Sequence, residues 1–135
     1  MTLLLDTHAL IWFLDDDIRL PASIRTQIET TPTVFVSIAS LWEIAIKANI
    51  GKLDLSAPFS TIEPNLVALD ITQLPITFKD LEIYLSLPLH HRDPFDRILI
   101  AQAINHSLPL VSQDTQMDAY AIQRLWEPPQ QDIQP

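Results

Sequence analysis

The sequence predicts an α/β fold, a three-layer α/β/α sandwich with a parallel central sheet. The chain has 135 residues, a length typical of one domain, and 47% of them are hydrophobic against 19% charged, as in ordinary globular proteins. Short apolar runs that suit buried strands alternate with longer stretches that suit helices. This alternation is typical of a parallel sheet with helices on both faces.

The first half of the chain predicts two strands and three helices. Each strand is a short apolar or β-branched run, as expected for a strand buried on both faces. Pro21 suits a helix start, and Gly51 suits the position just beyond a helix end. We expect strands at Thr2–Leu5 and Thr33–Ser37 and helices at His8–Leu14, Pro21–Thr30 and Ile38–Asn49.

The second half shows weaker patterns, and its elements follow from local signals such as Asp93-Pro94, which suits a helix start. We expect, in order, a loop at Leu53–Pro58, a helix at Phe59–Asn65, a strand at Val67–Ile71, a helix at Phe78–Leu85, a loop at Pro88–Arg92, a helix from Asp93-Pro94 through His106, a strand at Leu108–Ser112, a helical turn at Asp114–Tyr120 and a strand at Ala121–Trp126. One domain over residues 1–126 and a disordered tail over residues 127–135 follow from this organisation.

Two residue counts exclude several kinds of site. The chain has no cysteine, which excludes disulfides, thiolate nucleophiles, iron–sulfur clusters and cysteine-ligated zinc. Its single glycine, Gly51, cannot build a glycine-rich phosphate loop, so Walker-type and Rossmann dinucleotide sites are excluded too. No basic leader or long apolar stretch predicts export or a membrane span, so we expect a cytoplasmic protein without a membrane partner.

The net charge of the chain is −9, from 17 acidic and 8 basic residues. Nucleic-acid binders usually carry the opposite sign, because Lys and Arg contact phosphates. The charge has two interpretations. It is either a solvated acidic surface that aids solubility, or part of it is a group of carboxylates gathered around a cation.

Four acidic residues fall at the same predicted edge of the sheet. Asp6 ends the first strand, Glu43 lies early in the helix after the second, Asp96 lies in the first turn of its helix and Asp114 follows the strand at Leu108–Ser112. Sites in such sheets form outside the carboxyl ends of the strands, so we expect these carboxylates to meet.

Each acid also has a purely structural interpretation. Asp6 and Asp114 could cap the elements that follow them, and Asp96 suits a first helical turn. Ser40 and Glu43 match the capping-box pattern, and Glu43 could pair with Lys47 four residues on.

The helix that contains Glu43 favours a site. Nearly all of its positions are apolar, and its polar residues Ser40, Glu43 and Lys47 share one stripe. Carboxylates that converge next to a buried face repel each other, and a divalent cation resolves this repulsion. Mg²⁺ or Mn²⁺ prefers oxygen ligands, polarises phosphoryl oxygens and lowers the pKa of water, so the chemistry implied is phosphodiester hydrolysis.

Other residue types add less to the site. The histidines show no zinc-ligand spacing, and we interpret His90-His91 as shaping a loop. We expect Arg92 and Arg97 to contact substrate phosphates, with surface pairing to Asp93 or Asp96 as the alternative. The aromatic residues, Trp12 and Trp42 among them, are interpreted as core rather than as platforms for bases.

Four stretches, in order along the chain, resemble PIN-domain nucleases, and specifically the VapC-type toxins of bacterial toxin–antitoxin pairs. Their most specific feature is an Asp-Pro-Phe-Asp-Arg segment with an apolar continuation. The stretches are Leu3–Trp12, Val36–Lys47, Leu87–Ala103 and Leu110–Asp114.

The resemblance implies an α/β/α sandwich and a Mg²⁺- or Mn²⁺-dependent endoribonuclease that leaves a 5′-phosphate and a 3′-hydroxyl. It also implies a homodimer, an RNA substrate and a cognate antitoxin. It assigns the acidic site to Asp6, Glu43, Asp96 and Asp114. We expect Asp6 and Asp96 to bind the metal directly, Glu43 to bind it or orient water, and Asp114 to complete the shell.

Two neighbours of these acids are expected to contact substrate, Thr7 beside Asp6 and Ser112 near Asp114. Ser112 stands where the family often has Thr, so a hydroxyl is kept. The extra acids Asp93 and Asp118 leave the identity of the fourth ligand open.

Two non-catalytic alternatives remain. A receiver-like acidic module would need paired acids directly after the first strand and a Lys after a late strand, and no Lys follows Lys79. A PIN-like domain without activity would only bind a partner, and the complete set of four acids argues against it.

Overall fold

A five-stranded parallel sheet forms the centre of the molecule, whose computed structural model describes residues 1–127. The sheet order is β3-β2-β1-β4-β5, and every neighbouring pair is parallel. The strands are β1 (Thr2–Leu5), β2 (Thr33–Ser37), β3 (Ile71–Leu74), β4 (Leu110–Val111) and β5 (Arg124–Leu125).

Six α-helices connect these strands, together with two short 3₁₀-helices at Phe59–Thr61 and Thr115–Ala119. The α-helices are α1 (Thr7–Leu14), α2 (Ala22–Thr30), α3 (Ile38–Asn49), α4 (Ile62–Ala68), α5 (Phe78–Ser86) and α6 (Pro94–His106). None of the helices in the part of the chain just described combines the length and apolarity needed to cross a membrane.

The two faces of the sheet are covered by separate cores. Leu3 and Leu5 of β1 pack on one face with apolar side chains of α1, α2 and α4. Leu4, between them, points to the other face and packs with Ile100 of α6 and with Met117. Helices therefore cover both faces, which confirms the predicted α/β sandwich.

The prediction of a strand at Val67–Ile71 is wrong. Helix α4 continues to Ala68 because Ile62 and Leu66, one turn apart, are both buried. Asp70, with a φ of 60°, turns the chain, and β3 begins only at Ile71. The apolar run at Val67–Ile71 thus spans a helix end, a turn and the start of a strand.

Most other boundaries agree with the sequence to within one or two residues. Strands β4 and β5 are shorter than the runs expected for them, with two residues each. The predicted tail lies outside the described residues except for Glu127, whose carboxylate accepts a hydrogen bond from Ser23 Oγ at 3.2 Å.

The sheet order fixes where a site can form. The chain moves outward on one side of β1 through β2 and β3, and then returns to the other side of β1 with β4. The order reverses between β1 and β4, so a crevice opens at their carboxyl ends. Asp6 follows β1 there, and Ser112 to Asp114 follow β4.

Candidate active site

Asp6 is buried at the junction of β1 and β4. Its backbone N–H donates to Val111 O at 3.0 Å, and its carboxylate accepts from Ala9 N at 2.8 Å, so it caps α1. The Ser112 side chain also donates to the Asp6 carboxylate. The capping interpretation is therefore correct, and it places the carboxylate in the crevice rather than on the open surface.

Asp114 is oriented by three contacts. Its Oδ1 accepts from Gln116 N at 3.0 Å, and its backbone N–H donates to Ser112 Oγ at 3.1 Å. Its Oδ2 lies 2.7 Å from Nε2 of His91. Asp114 therefore caps the following 3₁₀-helix with one oxygen and pairs with a histidine through the other.

Asp96 completes a compact group. It lies in the first turn of α6, whose N-cap is Asp93, which accepts from Phe95 N at 2.8 Å. One ligand atom each from His91, Asp96 and Asp114 can be chosen so that all three atoms lie within 4.8 Å of one another. At this spacing the carboxylates of Asp96 and Asp114 can coordinate one ion, with His91 beside them.

Glu43 is buried on α3 and is held by neighbours on both of its oxygens. Its Oε1 accepts from Thr7 Oγ1 at 2.7 Å, and its Oε2 lies 2.9 Å from Lys47 Nζ. Ser40 Oγ lies 3.0 Å from the same Thr7 hydroxyl. The ion pair between Glu43 and Lys47, which the structural interpretation predicts, is therefore present. The predicted capping box of Ser40 and Glu43 is absent, because the N-cap of α3 is Ser37.

Burial and adjacent negative charge raise the pKa of Asp96 and of Asp6. The pKa of Asp96 rises to about 7 through burial and through the negative charges of Asp93, Glu43 and Asp114, against the attraction of His91. Burial also raises the pKa of Asp6, against hydrogen bonds to its carboxylate. The charges of Glu43 and Asp114 therefore act on Asp96, and the charge of Asp114 also acts on Asp6.

The residues present fit a divalent cation. Two carboxylate oxygens, from Asp96 and Asp114, lie within reach of one ion, and burial with adjacent negative charge disfavours ionised carboxylates unless a cation neutralises them. Asp96 and Asp114 belong to the compact group, whereas Asp6 and Glu43 do not. The charge of Glu43 nevertheless raises the pKa of Asp96, and the charge of Asp114 raises that of Asp6.

His91 was not predicted as part of the site. Tyr120 indicates which ring nitrogen of His91 carries a hydrogen, because the Tyr120 hydroxyl oxygen accepts from the backbone N–H groups of His90 and His91 at 3.1 and 2.8 Å. The hydroxyl proton is then free for His91 Nδ1 at 3.3 Å, so Nε2 carries the hydrogen that is donated to Asp114. The loop-shaping interpretation missed this contact, since no local pattern in the sequence pairs His91 with Asp114.

Arg97 does not fit its predicted contact with phosphate. It is buried, and its guanidinium donates to four backbone carbonyls at 3.0 to 3.4 Å, those of Tyr84, Leu87, Pro88 and His91. Its donors are therefore committed to bracing the loop that carries His91. Arg92, by contrast, is exposed.

Thr7 and Ser112 do not fit direct contact with substrate either. Both are buried, and Ser112 is completely inaccessible. Thr7 holds Glu43, while Ser112 contacts both Asp6 and Asp114. Their hydroxyls therefore orient the carboxylates.

The chain is similar to known proteins over most of its length. The family model of the PIN domain matches residues 3–123. No curated protein sequence matches the chain.

Several solved structures share the fold. VapBC2 from Rickettsia felis, bound to a DNA fragment from its promoter, is 12% identical with a TM-score of 0.71, covering 93% of this chain and 98% of that one. A toxin–antitoxin complex from Klebsiella pneumoniae is 19% identical with a TM-score of 0.61, covering 92% and 96%. FitAcB from Neisseria gonorrhoeae is also 19% identical with a TM-score of 0.61, covering 92% of this chain and 96% of that one. With a family model that spans most of its length and a fold of this kind, the chain belongs to the PIN-domain family.

Proposed function

We propose that the chain is a metal-dependent endoribonuclease that hydrolyses RNA phosphodiester bonds with Mg²⁺ or Mn²⁺. The observation that carries the proposal is the grouping of Asp96 and Asp114 within 4.8 Å, together with the raised pKa of Asp96, about 7, beside further acids. Nuclease activity is general among PIN domains, which supports the same conclusion.

In this proposal Asp96 and Asp114 hold the cation, and Asp6 faces it from the end of β1. The bound ion would polarise a phosphoryl oxygen and lower the pKa of water. Glu43 keeps one orientation because Thr7 and Lys47 occupy its two oxygens, which suits it to position a water molecule. His91 keeps Asp114 oriented toward the crevice.

The net charge of the chain bears on how it would bind RNA. With a net charge of −9 the chain does not attract RNA through a broad basic surface, so substrate binding depends on local groups. Of the two arginines predicted to contact phosphate, Arg92 is the exposed one, and it lies near Asp96 in sequence. The ion would supply the rest of the positive charge.

The decisive experiment is digestion of a defined RNA by the purified chain with Mn²⁺, with Mg²⁺ and with EDTA, with the cleavage ends mapped. We expect ion-dependent cleavage that leaves 5′-phosphates and 3′-hydroxyls. Asp96→Asn should abolish cleavage, and Asp54→Asn, which changes an exposed acid in a loop, should cleave as the wild type does. Ion-independent cleavage, or equal cleavage by Asp96→Asn, would contradict the proposal. Absence of cleavage would favour the non-catalytic binding module.

We also propose that the chain is the toxin of a toxin–antitoxin pair, with a cognate antitoxin and a homodimeric state. The solved structures that share its fold include complexes described as toxin–antitoxin or VapBC assemblies, which supports this role. Induced expression should arrest growth of a bacterial host, and Asp96→Asn should not. Co-expression of a small protein encoded beside the chain should restore growth. Equal arrest by the wild type and by Asp96→Asn would contradict a toxic nuclease.

A further inference from the structure

A cavity of about 470 Å³ adjoins Asp6 and Asp114 but is built mainly from residues that the proposed hydrolysis does not use. It lies where α1, the segment after β4 and the segment after β5 come together. Besides the two acids it is lined by His8, Trp12, Gln113, Thr115, Gln116 and Trp126.

The aromatic wall of the cavity is held in place from behind. Trp12 is only 8% exposed, which confirms its interpretation as a core residue, whereas the same interpretation is wrong for Trp42, which is 61% exposed. The Arg19 guanidinium lies 5.0 Å from the Trp12 ring centroid. The His8 ring stacks on Trp12 at 5.7 Å with an interplanar angle of 28°, and the Trp126 ring lies 6.1 Å away. His8 is exposed and Trp126 is half-buried, so both rings keep accessible surface.

The polar wall offers amides rather than cations. Gln113 and Gln116 are both exposed and line the same cavity. Each amide presents a donor and an acceptor side by side, the pair that matches N7 and N6 of adenine. The acids Asp6 and Asp114 repel a free phosphate at this end, so the cavity suits an uncharged ring better than an anion.

We propose that this cavity binds one unpaired base of the RNA substrate, with adenine preferred, beside the phosphate that is cleaved. The inference rests on the proposed nuclease function and names a specificity site for it. A base would lie against the rings of His8 and Trp126, because aromatic rings stack on every base. The amides of Gln113 and Gln116 would then read its edge.

A fluorescence titration tests the base site without cleavage. The probes are adenosine and ribose 5-phosphate, added to the full chain in EDTA. We expect adenosine to quench tryptophan fluorescence and ribose 5-phosphate to leave it unchanged. Trp42→Phe is the matched control, because Trp42 lies on α3 against Phe95 and does not line the cavity. It should retain quenching, whereas Trp126→Ala should raise the half-saturating adenosine concentration at least fivefold.

Cleavage kinetics test the same site with RNA. Trp126→Ala and His8→Ala should each raise KM by about tenfold with little change in kcat, because base stacking contributes to binding the substrate. Trp126→Phe, which keeps a ring, should recover part of the loss. Gln113→Ala combined with Gln116→Ala should reduce the preference for adenine over uracil at the cleavage site.

The outcomes separate the two proposals. Thermal denaturation identifies a variant that does not fold, and His8→Ala provides an exposed substitution if Trp126→Ala is unstable. Quenching by ribose 5-phosphate equal to that by adenosine, or unchanged KM in both variants, would overturn the base site while the nuclease stands. Adenosine quenching by a chain that cleaves no RNA would contradict the nuclease and leave the base site supported.

Discussion

His91 Nε2 lies 2.7 Å from Asp114 Oδ2, which makes a buried histidine the support of an acid at the crevice. The other ring nitrogen of His91 meets the Tyr120 hydroxyl at 3.3 Å, and that hydroxyl is fixed by two backbone N–H groups. A series of side-chain hydrogen bonds therefore connects Tyr120, in the core, through His91 to Asp114, at the proposed metal centre. Such supporting contacts orient metal ligands.

Loss of this support should weaken metal binding more than folding. His91→Ala should raise the Mn²⁺ concentration for half-maximal RNA cleavage by about 10- to 100-fold, the cost typical of losing an orienting partner of a ligand. Saturating Mn²⁺ should recover much of the rate. His90→Ala, which keeps the backbone donor to Tyr120, is the control and should cleave nearly as the wild type does. An unchanged metal requirement in His91→Ala would show that Asp114 needs no such support.

Arg97 and Arg92 should have opposite effects. Arg97→Ala removes a buried guanidinium from four carbonyl acceptors and should lower the free energy of unfolding by about 3 kcal/mol. Arg97→Lys should recover little, because an ammonium group lacks the planar fork. Denaturant unfolding measures both variants.

The exposed residue Arg92 provides the comparison. Arg92→Ala should leave stability within about 0.5 kcal/mol of the wild type and weaken RNA binding in proportion to one lost phosphate contact. The magnitude of the slope of log affinity against log salt concentration should then fall by about 1, the value for one phosphate contact. An unchanged slope would show that Arg92 does not contact the RNA.

Charge repulsion in the crevice should appear as metal-dependent stability. At pH 8 in EDTA, Asp96→Asn should raise Tm by about 3 °C, because the pKa of Asp96 is raised to about 7 and its ionised form is unfavourable there. Mn²⁺ should raise the Tm of the wild type and leave that of Asp96→Asn nearly unchanged. Calorimetry with Asp54→Asn as the control checks this. If Mn²⁺ leaves the Tm of the wild type unchanged, the metal site is contradicted.

The sequence was sufficient for the fold because the core strands are unambiguous. The run at Thr2–Leu5 and the β-branched run at Thr33–Ser37 can only be buried strands, and both are observed with those bounds. The strand at Val67–Ile71 was misplaced because apolar residues also occur at exposed ends of helices. Val67 is 74% exposed, so its hydrophobicity carried no information about burial.

The sequence gives the acids of the site more readily than the residues that hold them. The carboxyl ends of parallel strands lie at the same edge of the sheet regardless of loop conformation. The order of the strands along the chain is therefore enough to place Asp6 and Asp114 at that edge. The roles of Thr7, Ser112 and Arg97 could not, because an exposed hydroxyl or guanidinium looks the same in sequence as a buried one. Burial decides whether such a group contacts substrate or braces a neighbour.

An exposed apolar face on α5 is a candidate interface for the proposed homodimer. Phe78 and Leu85 are 77% and 87% exposed, and Leu81 and Leu89 lie on the same helix and the loop after it. Contiguous exposed apolar side chains mark interaction surfaces. Leu85→Asp should convert a dimer to a monomer in sedimentation experiments without lowering Tm by more than about 2 °C. Glu82→Gln, also exposed on α5, is the control. A monomeric wild type would refute the homodimer.

Asp80 should make stability depend on acid in a part of the molecule distant in sequence from Asp6 and Asp114. Burial alone would raise its pKa, but hydrogen bonds from Thr77, Asn105 and Gln102 outweigh burial and lower it. Because the pKa in the folded state lies below the usual 3.8, Asp80 stabilises the fold above about pH 4, and this contribution is lost as the pH falls through the folded pKa.

The Asp80→Asn variant isolates that contribution. At pH 7 the substitution should lower the free energy of unfolding by about 2 kcal/mol. The carboxylate accepts hydrogen bonds from three N–H donors, and the NH₂ group of an asparagine cannot accept them. The difference from the wild type should shrink as the pH falls from about 4 through the folded pKa, because Asp80 is protonated first in the unfolded chain and then in the folded one. Urea unfolding from pH 7 to pH 3 measures it, with Glu82→Gln as the matched control. A difference that stays constant down to pH 3 would mean that Asp80 acts through its shape rather than its charge.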